Sequence, residues 1–316
     1  MRHLLAIMAA ALLCSGCGYV GEPLPPALHI PRRVLDLAAV ERGGQVVVHF
    51  TAPVQTTEGL DIRKMGVIDL RVTPGGDPAA AKLFHPVPSS QTRIEHAVSA
   101  AEWVGKDVVI EVRIPSPKGR DSGWSNPVAL TVVPPLAQPP APEVQAVSEG
   151  VRVTWPGSAQ RYRVYRRVGE TRALLAETDR TEYLDTTAEY GKTYQYSVQG
   201  AQTGGNIRAE SEISLEASIT PEDRFPPAVP KGLAAVPSTG SIELTWDRNT
   251  EPDLAGYRVY RAEGSGVLER QPDVLQTPGF SDRKIAPGRM YRYAVSSVDK
   301  TGNESKMSEP VQATAP

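Results

Sequence analysis

The sequence predicts an all-β protein built from tandem antiparallel sandwiches, and three observations point there. Ile242, Leu244 and Trp246 alternate with polar residues, and Tyr257 and Val259 repeat the alternation after a polar run containing Asn249, Pro252 and Asp253. A period of two buries one face of a strand, and Asn, Pro and Asp supply the turn between strands. The same pattern recurs upstream at fixed spacing. Finally, the chain of 316 residues holds 29 Pro and 27 Gly, a density suited to a fold in which every strand ends in a turn. No stretch of about eleven or more residues beyond the N-terminal segment keeps a helical apolar period. Two half-buried strands are not stable alone and require a second sheet to cover them.

The length exceeds one ordinary core and suits two or three domains. Charged residues are 22% and aromatics 6% of the chain, which fits folded modules rather than wholesale disorder. Net charge is −2 and no dense run of Lys and Arg occurs, so no nucleic-acid partner is expected.

The N-terminus carries Arg2 and His3 followed by an unbroken apolar run from Leu4 to Leu13. That is the layout of a secretory signal and is too short to span a bilayer. It ends in Cys14-Ser15-Gly16-Cys17. Small residues immediately before a cysteine resemble the lipobox of bacterial lipoproteins. The resemblance implies a signal peptide over 1–16, cleavage after Gly16 and lipid attachment at Cys17. The position three before the cysteine holds Cys14 where that family prefers Leu. No cysteine follows Cys17, so a disulfide framework is not available. Gly18, rather than Asp, follows the cysteine, which in that family implies the outer membrane of a diderm cell. The expected location is the cell envelope, with the chain held to a membrane by its lipid and facing the periplasm or the cell surface. Residues 17–31 contain four prolines and read either as an extended tether or as a plain leader.

Three copies of one module follow. Leu37, Val40, Gly44, Val46, Val48 and Phe50 match Leu233, Val236, Gly240, Ile242, Leu244 and Trp246 without a gap, and Val151, Val153 and Trp155 supply the middle copy. The second and third copies agree further. Tyr162-Arg-Val-Tyr-Arg166 matches Tyr257-Arg-Val-Tyr-Arg261, and Tyr183, Asp185, Gly191, Tyr194, Tyr196 and Val198 match Phe280, Asp282, Gly288, Tyr291, Tyr293 and Val295. The spacing grows only between strands, where loops face water.

These residues resemble the fibronectin type III domain, an immunoglobulin-like sandwich of seven strands in two antiparallel sheets. The resemblance places Trp155 and Trp246 in the cores. It makes Tyr194 and Tyr291 corner tyrosines whose hydroxyls bond back to backbone across the turn. The expected modules are 32–134, a diverged copy with Phe50 in place of Trp and no corner Tyr, then 143–220 and 231–316. Pro-rich joints separate them at 134–142 and 221–230.

Candidate chemistry is sparse. The histidines are His3, His29, His49, His85 and His96, so a histidine-based triad within the second or third module is impossible. His49, between Val48 and Phe50, should face outward. Asp247, Glu251 and Asp253 crowd one loop and Asp299, Asn303 and Glu304 another at the same end of the third module. These oxygens suit either weak Ca²⁺ binding or, as the favoured reading, turn stabilisation. Tyr165 and Tyr260, with Arg163, Arg166, Arg258 and Arg261 around them, suit either an exposed binding stripe or cross-strand packing, again the favoured reading. No catalytic, cofactor or metal residues are assigned. The expected function is that of a non-enzymatic binding or scaffolding protein of the envelope. A carbohydrate-binding accessory role is the alternative, and the partner is an unidentified envelope protein or glycan.

Overall fold

The computed structural model describes residues 28–87 and 92–316. The signal segment, Cys17 and the tether as far as residue 27 lie outside the described residues. Among the described residues the regular structure is strand, with two short 3₁₀ turns, and no helix is long and apolar enough to cross a membrane. The described chain divides into two compact units. One runs to Ala137 and takes in Ala201–Glu212; the other comprises Gln138–Gly200 and Ile213–Pro316.

The first unit contains β1 (Ala38–Arg42), β2 (Gln45–Thr51), β3 (Asp69–Pro74), β4 (Lys82–Phe84), β5 (Arg93–Ser99), β6 (Asp107–Arg113) and β7 (Val128–Thr131). β1-β2-β5 faces β4-β3-β6-β7, the three-on-four arrangement of the sandwich that the sequence resembles. Val46, Val48 and Phe50 from one sheet meet Leu70, Ile110 and Leu130 from the other. In this copy Trp103, on a 3₁₀ turn ahead of β6, is buried in the core and packs edge-to-face on Phe84 with centroids 6.1 Å apart. Leu28 to Pro31, counted with the tether in the sequence, are bonded to this sandwich instead. Thr57 N donates to Ile30 O at 2.8 Å, and Pro31 bridges to Thr56.

The second sandwich contains β8 (Glu143–Val147), β9 (Gly150–Thr154), β10 (Arg161–Val168), β11 (Thr171–Thr178), β12 (Glu182–Asp185), β13 (Tyr194–Gly204), β14 (Ile207–Glu210) and β15 (Ala217–Ile219). β8-β9-β12 faces β11-β10-β13-β15 over Val151, Val153, Trp155, Tyr162 and Tyr196. Beyond Gly200 the end of β13, the turn and β14 leave this core. Residues Ala201–Glu212 belong to the first unit, where β14 pairs in parallel with β1 and Arg42 bonds Glu210 at 3.1 Å.

The third sandwich contains β16 (Ala234–Ser238), β17 (Ser241–Thr245), β18 (Leu254–Glu263), β19 (Glu269–Arg270), β20 (Gly279–Asp282), β21 (Met290–Asp299) and β22 (Val311–Thr314). β16-β17-β20 faces β19-β18-β21-β22. Trp246 is 6% exposed and Trp155 4%. Each indole packs edge-on to a tyrosine of the next strand, Trp246 on Tyr257 at 5.3 Å and Trp155 on Tyr162 at 5.4 Å. Such pairs contribute about 0.5–1.5 kcal/mol beyond their burial.

Candidate functional site

The polar residues that the second and third sandwiches share form one network built twice. Tyr162, Val164 and Arg166 occupy alternate positions of β10, so Arg166 extends the inward face. Its guanidinium reaches the opposite sheet and bonds Asp185 Oδ2 at 2.8 Å, while the Tyr196 hydroxyl donates to the same oxygen at 2.8 Å. The third sandwich repeats this: Arg261 Nε bonds Asp282 Oδ2 at 2.6 Å and Tyr293 donates to it at 2.7 Å. Asp185 and Asp282 are buried. Burial by itself would raise the Asp185 carboxyl. Hydrogen bonds from Thr187, Tyr196 and Arg166 outweigh it and hold the group below its ordinary value. Burial, and then the bond to the carboxylate, push the Tyr196 and Tyr293 hydroxyls well above theirs.

The corner tyrosines act as the resemblance implies. The Tyr194 hydroxyl accepts from Glu189 N and the Tyr291 hydroxyl from Ala286 N, both at 2.9 Å. The guanidinium carbons of Arg166 and Arg261 lie over these rings at 5.0 and 4.3 Å.

The Tyr/Arg stripe therefore resolves into packing. Arg166 and Arg261, grouped in the sequence with the outward tyrosines, face inward. Tyr165 donates to Gln199 Oε1 at 3.0 Å, and Tyr260 donates to Glu304. Arg163 pairs with Glu177 at 2.7 Å and Arg258 with Glu304 at 3.5 Å. No member of the stripe projects freely. His49 is half-buried on β2, opposite Ala38 and Glu95.

Of the loop carboxylates, the fold brings Asp253 and Asp299 together and adds Asp223 from the Pro-rich joint; one oxygen of each lies within 4.8 Å of the others. Lys300 N donates to Asp253 O at 2.9 Å, which confirms that the two loops share one end. Asp299 is buried and already engaged. Oδ1 accepts from Thr301 N at 2.9 Å and Asn303 N at 2.8 Å, and Oδ2 from Asn303 Nδ2 at 2.8 Å. Glu251 accepts from Ala228 N at 2.6 Å. Glu304 is bonded to Tyr260 and Ser296. These bonds hold turns in shape, the reading favoured from sequence. Three carboxylates so placed form an oxygen cluster of the type that hard cations use, but Asp299 is spent on the turn.

No family model matches the chain. Exoglucanase B of Cellulomonas fimi is 30% identical over 214 residues, covering 60% of this chain and 19% of that protein. Amylopullulanase of Thermoanaerobacterium saccharolyticum is 34% identical over 114 residues, 36% of this chain and 9% of that one. Poly(3-hydroxybutyrate) depolymerase of Ralstonia pickettii is 31% identical over 137 residues, 43% of this chain and 24% of that one. The chain thus spans at most about a quarter of the length of these relatives. Among solved structures, the FN1–FN3 domains of chicken CNTN1 align at TM-score 0.29 and 14% identity, over 90% of this chain and 99% of that one. An Fn3-like protein from Clostridium thermocellum aligns at TM-score 0.26 and 28% identity, over 29% of this chain and 96% of that one.

Proposed function

We propose that this chain is a non-enzymatic envelope protein, held to a membrane by a lipid on Cys17, whose sandwiches serve as a binding or scaffolding array. The observation that carries the reading is the duplicated Tyr–Asp–Arg network. The polar residues that recur between copies are consumed in holding two sheets together. None of them is left as an acid, base or nucleophile poised over a cleft. The relatives support the same reading. Their names specify a glucanase, a pullulanase and a depolymerase of a polyester, and each shares only a fraction of its length with this chain. Likeness to parts of proteins named for different polymers fits a spacer or docking role better than selection of one polymer.

Crosslinking in the native cell, followed by identification of what co-purifies, tests the array. Recovery of one protein partner at stoichiometric yield is the expected result. Replacing Cys17 with Ser and fractionating the cell tests the anchor: release of the processed variant from membranes is expected, and continued retention refutes lipidation at that residue.

A carbohydrate-binding accessory role remains as a second reading, favoured by the glucanase and amylopullulanase relatives. Retardation of the protein in gels containing soluble glucans would support it over scaffolding.

A further inference from the structure

A cavity of about 790 Å³ opens at one end of the first sandwich, within the 300–1,000 Å³ range of about one small-molecule ligand. Three segments form it. Leu28 and His29 make one wall, Leu60 to Lys64 the second, and Ser116 to Arg120 the third. Four cations line it: Arg63, Lys64, Lys118 and Arg120. Asp61 is the one acid among the lining residues. None of the four cationic side chains has an ion-pair or hydrogen-bonding partner among the described residues. The contrast with β3, β6, β10 and β18, where Arg71, Arg113, Arg166 and Arg261 are each bound to a carboxylate, is direct.

The walls are built rather than loose. Thr56 N donates to Leu60 O at 2.8 Å, and Ile62 N to Val54 O at 2.9 Å. Ser116 N donates to Arg120 O at 2.7 Å, closing the turn that presents Lys118 and Arg120. Gly66 N donates to Pro115 O at 2.7 Å and ties the second wall to the third; a Cβ at Gly66 would lie 2.7 Å from Ser116 O, so only glycine allows this approach. Leu28 N donates to Glu58 Oε1 at 3.3 Å, and His29 stands at φ 51°, the single non-glycine residue with positive φ among those described. Strained backbone of this type concentrates at ligand clamps. The backbone that carries the four cations is thus held in place before any ligand arrives, while the exposed side chains are left to close on the ligand.

Four unpaired cations against one acid call for a ligand with more than one negative charge or several acceptor oxygens. A phosphate group supplies both, and the two arginines offer forked donors that match it. Beside the charges the cavity is apolar, with Leu28 46% and Leu60 44% exposed and Ile62 next to them. We propose that this cavity binds a phosphate-bearing anion with an apolar portion, either the headgroup and glycerol region of an anionic phospholipid or a free organophosphate of the same chemistry. The proposal does not depend on lipidation of Cys17, because the site is formed by residues 28–120 alone.

The test uses the full chain in non-ionic detergent micelles. Isothermal titration is run with glycerol 3-phosphate, with phosphatidylglycerol and with phosphatidylcholine, against the wild type, Arg63→Gln/Arg120→Gln, and Lys306→Gln as a control at an exposed residue of the third sandwich. The substituted side chains are exposed, so an unchanged melting temperature is expected and is checked first. The double variant should bind with a Kd raised about tenfold or more, as loss of charge-assisted bonds requires, while Lys306→Gln leaves it unchanged. Binding should weaken with added salt. Glycerol 3-phosphate binding that the double variant loses identifies the free organophosphate as a sufficient ligand. Binding of phosphatidylglycerol alone identifies the lipid headgroup. Equal binding of phosphatidylcholine, indifference to the double substitution, or absence of binding to both anions overturns the proposal.

Discussion

The Tyr196 hydroxyl donates to Asp185 Oδ2 at 2.8 Å, from one sheet of the second sandwich to the other. Because Arg166 meets the same oxygen, the carboxylate clamps both partners of the opposite sheet. Removing it leaves a guanidinium with its partner gone. Breaking a buried ion pair costs about 3–5 kcal/mol, with the lower end appropriate to an arginine still partly open to water. Asp185→Asn should therefore cost about 3 kcal/mol and Tyr196→Phe about 1–3 kcal/mol. Asp282→Asn should do the same in the third sandwich. Amide hydrogen exchange, read peptide by peptide, checks this: each substitution should loosen its own sandwich.

Acid should weaken the second sandwich for the same reason. Asp185 is held below its ordinary value, and Arg167 and Arg172 hold Glu216 down to about 2. A carboxyl lower in the folded state than in the unfolded chain contributes stability above its unfolded value and loses it as pH falls through the folded one. The window opens near the ordinary carboxylate values of 3.8 and 4.5 and extends downward to about 2. Glu216 lies near the surface, so solvent screening makes its share the smaller. Urea midpoints measured from pH 6 to pH 2 should fall mainly below about pH 4.5, and Asp185→Asn should flatten that fall.

Much of this was legible in the residues themselves. Alternation at Val151, Val153 and Trp155 marks a half-buried strand wherever it occurs, and the recurrence of Tyr194 and Tyr291 three residues after a glycine marks the corner. What escaped was the inward direction of Arg166 and Arg261. Their place in the alternation, two residues beyond Val164 and Val259, said inward, but their charge argued for the surface. Only a buried acid on the facing sheet resolves the conflict. Asp185 and Asp282 carried that signal, since both recur next to the aromatic strand position. Trp103 escaped because it enters the core from a single turn of 3₁₀ helix, which has no period to read. The cavity cations escaped because residues 63–64 and 118–120 are neighbours only after folding.

Gly150 offers a local test of the same region. It adopts φ 141°, and a Cβ there would lie 2.1 Å from the Asp185 carbonyl oxygen. The β8–β9 turn thus presses against the end of β12 with backbone that cannot give way. Gly150→Ala should displace β12, separate Asp185 from Arg166, and cost more than the roughly 1 kcal/mol of an ordinary glycine exchange. Gly240→Ala, at the equivalent turn of the third sandwich, has nothing within 4 Å of the added carbon and carries only the strain of its φ of 77°. The melting shift of Gly150→Ala should be the larger of the two, since it adds a collision and a less accessible φ to the strain of an ordinary left-handed turn.

Glu41 makes the opposite case to Asp185. It sits on β1 opposite Val46, in line with Ala39 opposite Val48, and so points toward the core face of the first sandwich. It is 1% exposed. Oε2 accepts from Val133 N at 2.9 Å, while Oε1 has no hydrogen-bond partner. Burial dominates here and raises the carboxyl above its ordinary value. A carboxyl raised by folding favours the protonated state, so its stabilising share is present at low pH and declines as pH rises through the folded value. Glu41→Gln keeps an oxygen for Val133 N and removes the charge. At pH 8 the variant should melt higher than the wild type, because it removes the buried charge while leaving one buried polar atom unpaired in both. At pH 4, where the wild-type carboxyl is already neutral, the two should melt together. A variant that is less stable at pH 8 would mean that Glu41 has an ionic partner in the folded chain.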